Sequence, residues 1–146
     1  MLVALDYGDL FEDLGQIAAW GALAIALLAI GYGVLDLLTP GNLGQLIYVQ
    51  HNPNAAIVLA SGVAALGAII TTSIATSLDG FADGIISAAA YGVLGIVLLA
   101  VSFLVLDRLT PGELGAIVTA SAPAPAAWVV AANHLALGAI LSAAIA

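Results

Sequence analysis

The sequence predicts an all-α integral membrane protein, with four transmembrane helices arranged as two parallel tandem repeats. Each repeat reads as span, short interfacial helix, span, and an N-terminal amphipathic helix precedes the first. Composition, apolar runs and an internally repeated motif carry this reading. Of 146 residues, 64% are hydrophobic and 7% charged, and the mean hydropathy is +1.22. A soluble domain carries about 25% charged residues, so this chain is built to be solvated by lipid.

A spanning helix needs about 20 apolar residues. Runs at 17–38, 55–78, 84–106 and 126–146 meet that length, with charges only near their ends. Together they use nearly the whole chain and leave no room for a soluble catalytic domain. The repeat shows in Asp36-Leu37-Leu38-Thr39-Pro40-Gly41 and, 71 residues later, Asp107-Arg108-Leu109-Thr110-Pro111-Gly112. Trp20-Gly21 against Tyr91-Gly92, Ala55-Ala56 against Ala126-Ala127, and Gly67 against Gly138 keep the same offset. Repeat 1 is therefore placed at 15–78 and repeat 2 at 79–146. An even number of spans per repeat orients both halves alike, about an axis along the membrane normal.

Within each repeat the Thr-Pro-Gly segment has a mechanical reading as a helix-capping motif: Thr39, Pro40 and Gly41, then Thr110, Pro111, Gly112 and Glu113. Thr110 is expected to cap a new helix with Pro111 at its first position, and Glu113 completes a Thr-x-x-Glu capping box. Thr39, Pro40 and Asn42 form a weaker copy. The short helices should then present Leu43, Leu46 and Ile47, or Leu114, Ile117 and Val118, on one face. Asn52-Pro53-Asn54 and Pro123-Ala124-Pro125 end them and start the next spans. Residues 1–14 are expected to lie in the interface. At about 100° per residue, Val3, Tyr7, Leu10, Phe11 and Leu14 face one side and Asp6, Asp9, Glu12 and Asp13 the other.

The duplicated Asp-x-Leu-Thr-Pro-Gly, followed by an Ala-Ala start to the next span, resembles the bacterial and archaeal membrane family called domain of unknown function 350, the YjfL-like proteins. The likeness covers essentially the full chain. It implies four helices in the inner, or plasma, membrane and supplies no activity.

Charge narrows the partners. Nine acids stand against one base, Arg108, for a net charge of −8. Nucleic acid is excluded, because its binding rests on Lys and Arg neutralising phosphates. A polybasic contact with anionic lipid is excluded likewise. The acids either attract a cation or a basic partner or form a solvated, repulsive loop surface. There is no cysteine, so thiolate metal sites and thiol nucleophiles are absent. The two carboxylates of Asp79-x-x-x-Asp83 alone make a poor divalent site. With only His51 and His134 there is no nucleophile–base–acid set. Neither a metal, a cofactor nor an enzymatic activity is expected.

Four intramembrane residues are candidates for an ion or proton path. Asp36 and Asp107 occupy equivalent points about one turn from the Thr-Pro-Gly ends of their spans. They either bind a cation around the pseudo-two-fold axis or cap the following short helix through the N–H groups of Gly41 and Asn42, or Gly112 and Glu113. Asn133 and His134 lie on the order of 12 Å into the last span. They serve either as proton carrier and ligand or as hydrogen-bonded packing contacts. Thr71, Thr72, Ser73, Thr76 and Ser77 either line a pore or bond to their own helix. The leading reading is a homo-oligomeric small membrane protein that forms or supports a cation or proton path. The alternative is a non-conducting scaffold or accessory subunit of another membrane protein. Arg108 alone votes on orientation, placing the Thr-Pro-Gly loops in the cytoplasm and both termini outside.

Overall fold

A computed structural model describes residues 7–77 and 80–146. Within them the chain runs α1 (Tyr7–Leu38), a π-helical turn (Gln45–Val49), α2 (Pro53–Ala75), α3 (Phe81–Leu109), α4 (Leu114–Thr119) and α5 (Pro125–Ile145). The all-helical class holds, and four helices are long and apolar enough to cross a membrane: Gly8–Leu38, Pro53–Ala75, Phe81–Leu109 and Pro125–Ile145. Each starts and stops where the sequence forces it. Pro53 and Pro125 stand in the first turn of their helices, where a missing N–H is harmless. Pro40 and Pro111 follow the ends of α1 and α3, which they cannot continue.

The expected separate helix over 1–14 is corrected. From Tyr7 the chain is one unbroken helix with the first span, while residues 1–6 lie outside the described residues. Only Gly15-Gln16 separates Leu14 from Ile17, and one glycine weakens a helix by about 1 kcal/mol without interrupting its ladder. The 32 residues of α1 rise about 48 Å, against a hydrocarbon core of about 30 Å. Its first turns, carrying Asp9, Glu12 and Asp13, are exposed, as are Leu10, Phe11 and Leu14.

α2 is the central helix. Buried positions make up 44% of its most apolar window, against 17% to 28% in the other three spans. It packs most extensively on α5 and also against α1 and α3, while α1 and α3 pack on each other. One core cluster sits at the Thr-Pro-Gly end, where Leu43, Leu46, Leu114 and Val118 tuck beneath Leu35, Val58, Phe103 and Val130. A second, deeper cluster joins Leu27, Leu66, Ile70, Ile96 and Leu99. The short helices therefore bury one face in the bundle, with the spacing read from sequence: Leu43 and Leu46 in one, Leu114 and Val118 in the other.

The α2–α5 seam depends on Gly138. A Cβ there would lie 2.8 Å from both Cα and Cβ of Ala65 and 3.1 Å from its carbonyl oxygen. That is backbone, which cannot rotate away. At Gly67, which occupies the matching place 71 residues earlier, an added Cβ would meet nothing within 4 Å. The same substitution should thus have opposite effects. Gly138→Ala should destabilise the protein by about 1–3 kcal/mol through overpacking. Gly67→Ala should be neutral or stabilising by up to about 1 kcal/mol through helix propensity. Denaturant unfolding in micelles measures both, and equal effects would mean the seam is not where these contacts place it.

Candidate functional site

The two Asp-x-Leu-Thr-Pro-Gly segments fold alike. Asp36 Oδ1 accepts the backbone N–H of Leu43 at 2.6 Å. Asp107 Oδ1 accepts that of Leu114 at 2.8 Å. Each carboxylate thus reaches across its turn to the start of the next short helix, where exposed N–H groups favour negative charge. The donors are Leu43 and Leu114 rather than the expected Gly41, Asn42, Gly112 or Glu113. The turn itself needs Gly41 and Gly112, whose φ angles of +97° and +101° favour a residue without Cβ.

The expected threonine caps are also corrected. Thr110 Oγ1 donates back to the Leu106 carbonyl at 2.8 Å, and its N–H bonds the same oxygen at 3.0 Å. Thr110 closes α3 instead of opening α4, which begins after Glu113, and the Glu113 side chain makes no capping bond. Thr39 likewise ends α1 through its N–H to Leu35 at 3.1 Å, with its hydroxyl buried and unpartnered. The left-handed glycine explains the failure: a helix cannot run through it, so Pro40 and Pro111 cannot be first helical positions. In the first half Asn42 takes the capping role, its Oδ1 accepting the Gln45 N–H at 2.9 Å.

Asn133 and His134 are adjacent on α5, and a rotation of about 100° per residue aims them at different neighbours. Asn133 Nδ2 donates to Ser102 Oγ on α3. His134 is fully buried, with Nδ1 3.0 Å from Ser61 Oγ on α2. Ser61 donates its own proton to the Val58 carbonyl at 2.9 Å. The other ring nitrogen, Nε2, is enclosed and has no hydrogen-bond partner. A cavity between α1, α2 and α3 has room for about 10 Å³ and is lined mainly by Leu28, Leu35, Leu66, Ile96 and Leu99. Three hydroxyls at the end of α2 bond to their own backbone, while that of Ser73 is buried without a partner. Thr72 donates to Ala68 at 3.0 Å, Thr76 to Thr72 at 3.0 Å and Ser77 to Ser73 at 2.7 Å. His51 is exposed with φ +52°, a conformation that His adopts more readily than most non-glycine residues.

A polar clasp between the start of α2 and the segment joining α4 to α5 escaped the sequence reading. Asn54, 1% exposed, donates through Nδ2 to the carbonyls of Ala122 at 2.8 Å and Ala120 at 3.0 Å. Its Oδ1 accepts the Ala124 N–H at 2.8 Å. Asn52 caps α2, accepting from the N–H groups of Asn54 and Ala55. Its amide donates to Thr119 at 3.0 Å and Ala120 at 3.1 Å. One signal for this was present. Where the first half has Asn-Pro-Asn the second has Pro123-Ala124-Pro125, and prolines lack the N–H groups that would satisfy nearby carbonyls.

Comparison with known proteins decides the family. The profile of the Domain of Unknown Function (DUF350) matches residues 9–145. The chain belongs to the DUF350 family. Among its relatives is a UPF0719 transmembrane protein of Mycolicibacterium paratuberculosis, 36% identical over 124 residues, which cover 85% of this chain and 82% of that protein. UPF0719 transmembrane proteins of Mycobacterium bovis and Mycobacterium tuberculosis are each 32% identical over 120 residues, covering 82% of this chain and 79% of theirs. No solved structure matches. The relatives' names thus agree with the four apolar helices of this DUF350 chain on a membrane protein.

The clasp and the carboxylate bonds should separate in mutants. Asn54→Leu leaves buried carbonyls and the Ala124 N–H unpaired, and should cost about 3 kcal/mol. Hydrogen exchange at Ala124 should accelerate with it. Asp36→Ala and Asp107→Ala should each cost about 1.5–3 kcal/mol, as expected for bonds to a charged group. Unfolding in micelles with amide exchange reads all three; an Asn54→Leu variant as stable as the parent would refute the clasp.

Proposed function

We propose that this DUF350 chain is a non-enzymatic, non-conducting membrane scaffold or accessory subunit, whose intramembrane polar residues fix helix packing. One observation carries the reading: Asp36, Asp107, Asn133 and His134 all engage a partner within the chain. A path for ions needs polar atoms facing water, and these face backbone and hydroxyl groups of neighbouring helices. The small apolar cavity between α1, α2 and α3 supports the same view.

Lateral assembly, with copies of itself or another membrane protein, fits the outward glycines of α1. At Gly15, Gly21 and Gly33 an added Cβ would meet nothing within 4 Å, although each glycine weakens a helix by about 1 kcal/mol. Small residues permit close helix approach in membranes, so their use is explained by contacts outside the chain. A second reading, an oligomeric cation or proton path, is favoured by one atom, the unpartnered Nε2 of His134.

Reconstituted vesicles distinguish the two. Proton and potassium flux should equal that of empty vesicles, and the purified protein should exceed its 14.4 kDa chain mass in micelles once detergent is subtracted. Flux above background that His134→Ala or Asp36→Asn abolishes would establish the path instead. A monomer in native-lipid discs would remove the lateral-assembly half of the proposal.

Orientation in the plasma membrane follows from Arg108, in the last turn of α3. Basic residues favour the cytoplasmic side and acids contribute little. The Thr-Pro-Gly turns then face the cytoplasm and both termini the outside. A reporter active only outside the cytoplasm, fused after Ala146, should be active; a cytoplasm-only reporter working there would reverse the assignment.

A further inference from the structure

At the end of the bundle away from the Thr-Pro-Gly turns, α2, α3 and α5 frame a cleft of about 170 Å³. Its polar lining is Ser73, Thr76, Ser77, Asp83, Ser87 and Tyr91. Four features define what would bind there. Ser73 is 1% exposed, yet its hydroxyl has no partner, a state that buried polar groups rarely tolerate. Thr76 and Ser77 commit their protons to the carbonyls of Thr72 and Ser73, so their oxygens offer only lone pairs to the cleft. Asp83, in the first turn of α3, adds one negative charge. The cleft also lies against the C-terminal turns of α2 and α5, the negative ends of their helix dipoles, and against the first turn of α3, whose positive end the Asp83 carboxylate offsets; the single base, Arg108, is at the other end of α3.

We propose that this cleft binds an alkali cation, with Asp83 supplying the charge and the hydroxyls of Ser73, Thr76, Ser77, Ser87 and Tyr91 supplying neutral oxygen ligands. All-oxygen sets suit hard cations. A divalent ion is disfavoured, since its sites take several carboxylates and no group of three or more His, Asp or Glu side chains gathers among the described residues. Gly84 keeps the cleft narrow: a Cβ there would lie 2.8 Å from Ser77 Cβ and 3.2 Å from the Trp20 ring. Occupancy at this end is independent of the packing role argued for Asp36, Asp107, Asn133 and His134, and it requires no conduction.

The test is thermal unfolding of the full chain in micelles, in lithium, sodium or potassium chloride against choline chloride at equal ionic strength. At least one alkali ion should raise the midpoint saturably, by roughly 9 °C at a hundredfold excess over its Kd, and the three salts identify which. Asp83→Asn should weaken the apparent affinity at least tenfold. Asp13→Asn, on the exposed start of α1, should leave it unchanged. The pair Ser73→Ala with Ser87→Ala gives the same readout without altering charge, and each variant's midpoint in choline reports its fold. A midpoint indifferent to alkali ions, an alkali effect that survives Asp83→Asn, or stabilisation by calcium alone would each overturn the assignment.

Discussion

Hydrocarbon offers no hydrogen bonds, so every break between spans must satisfy its own backbone. In this bundle that demand falls on the two Thr-Pro-Gly turns and on the segments that follow the short helices. A helix that ends near the bilayer edge strands carbonyls, and the helix that begins next strands N–H groups. Asp36 and Asp107 answer the second need seven residues ahead, at Leu43 and Leu114. A carboxylate is costly in a membrane, but here it stands near the span's end, at a helix N-terminus that favours its charge. The bond also fixes where each short helix starts, and therefore which of its residues enter the core.

The first and second halves solve the next break differently. In the first, Asn52 and Asn54 carry amides; in the second, Pro123 and Pro125 remove donors and leave carbonyls at Thr119, Ala120 and Ala122. Each segment lacks what the other provides, and the bonds between them join residues 63–70 positions apart in sequence. The same complementarity continues along the seam. α5 contributes Gly138 and His134, which meet Ala65 and Ser61 of α2. At Gly67, the place on α2 that corresponds to Gly138, an added Cβ would meet nothing within 4 Å. The two helices thus form an asymmetric pair, with α2 enclosed and α5 exposing residues such as Trp128, Val129 and Ile140.

What sequence revealed and concealed follows from the range of each interaction. The spans were legible because hydropathy is summed over about 20 consecutive residues, and the turns because Pro and Gly act on their own backbone. The buried faces of the short helices followed from spacing. The Thr-x-x-Glu pattern misled, because a capping box presupposes that Thr stands outside the new helix with the backbone ready to enter it. Gly112, at φ +101°, intervenes. The N-terminal helix merged with the first span because nothing between Leu14 and Ile17 stops a helix. The Asn54 clasp was least visible of all: its partners are main-chain carbonyls, which leave no residue signature beyond the two prolines.

Chemical capacity is therefore distributed unevenly along the membrane normal. At the Thr-Pro-Gly end, carboxylate and amide groups are consumed by backbone partners, and little remains to engage a solute. Mid-bundle, Asn133 and His134 each tie α5 to a different helix, which fixes its rotation as apolar packing alone does not. At the opposite end Thr76 and Ser77 turn their protons to carbonyls of their own helix, beside a cleft that the Asp83 carboxylate also lines. There, the absence of a side chain at Gly84 lets α3 approach Ser77 and Trp20 closely. An occupant of that cleft would bear on the spacing of three helices at once, without any polar group moving through the apolar centre.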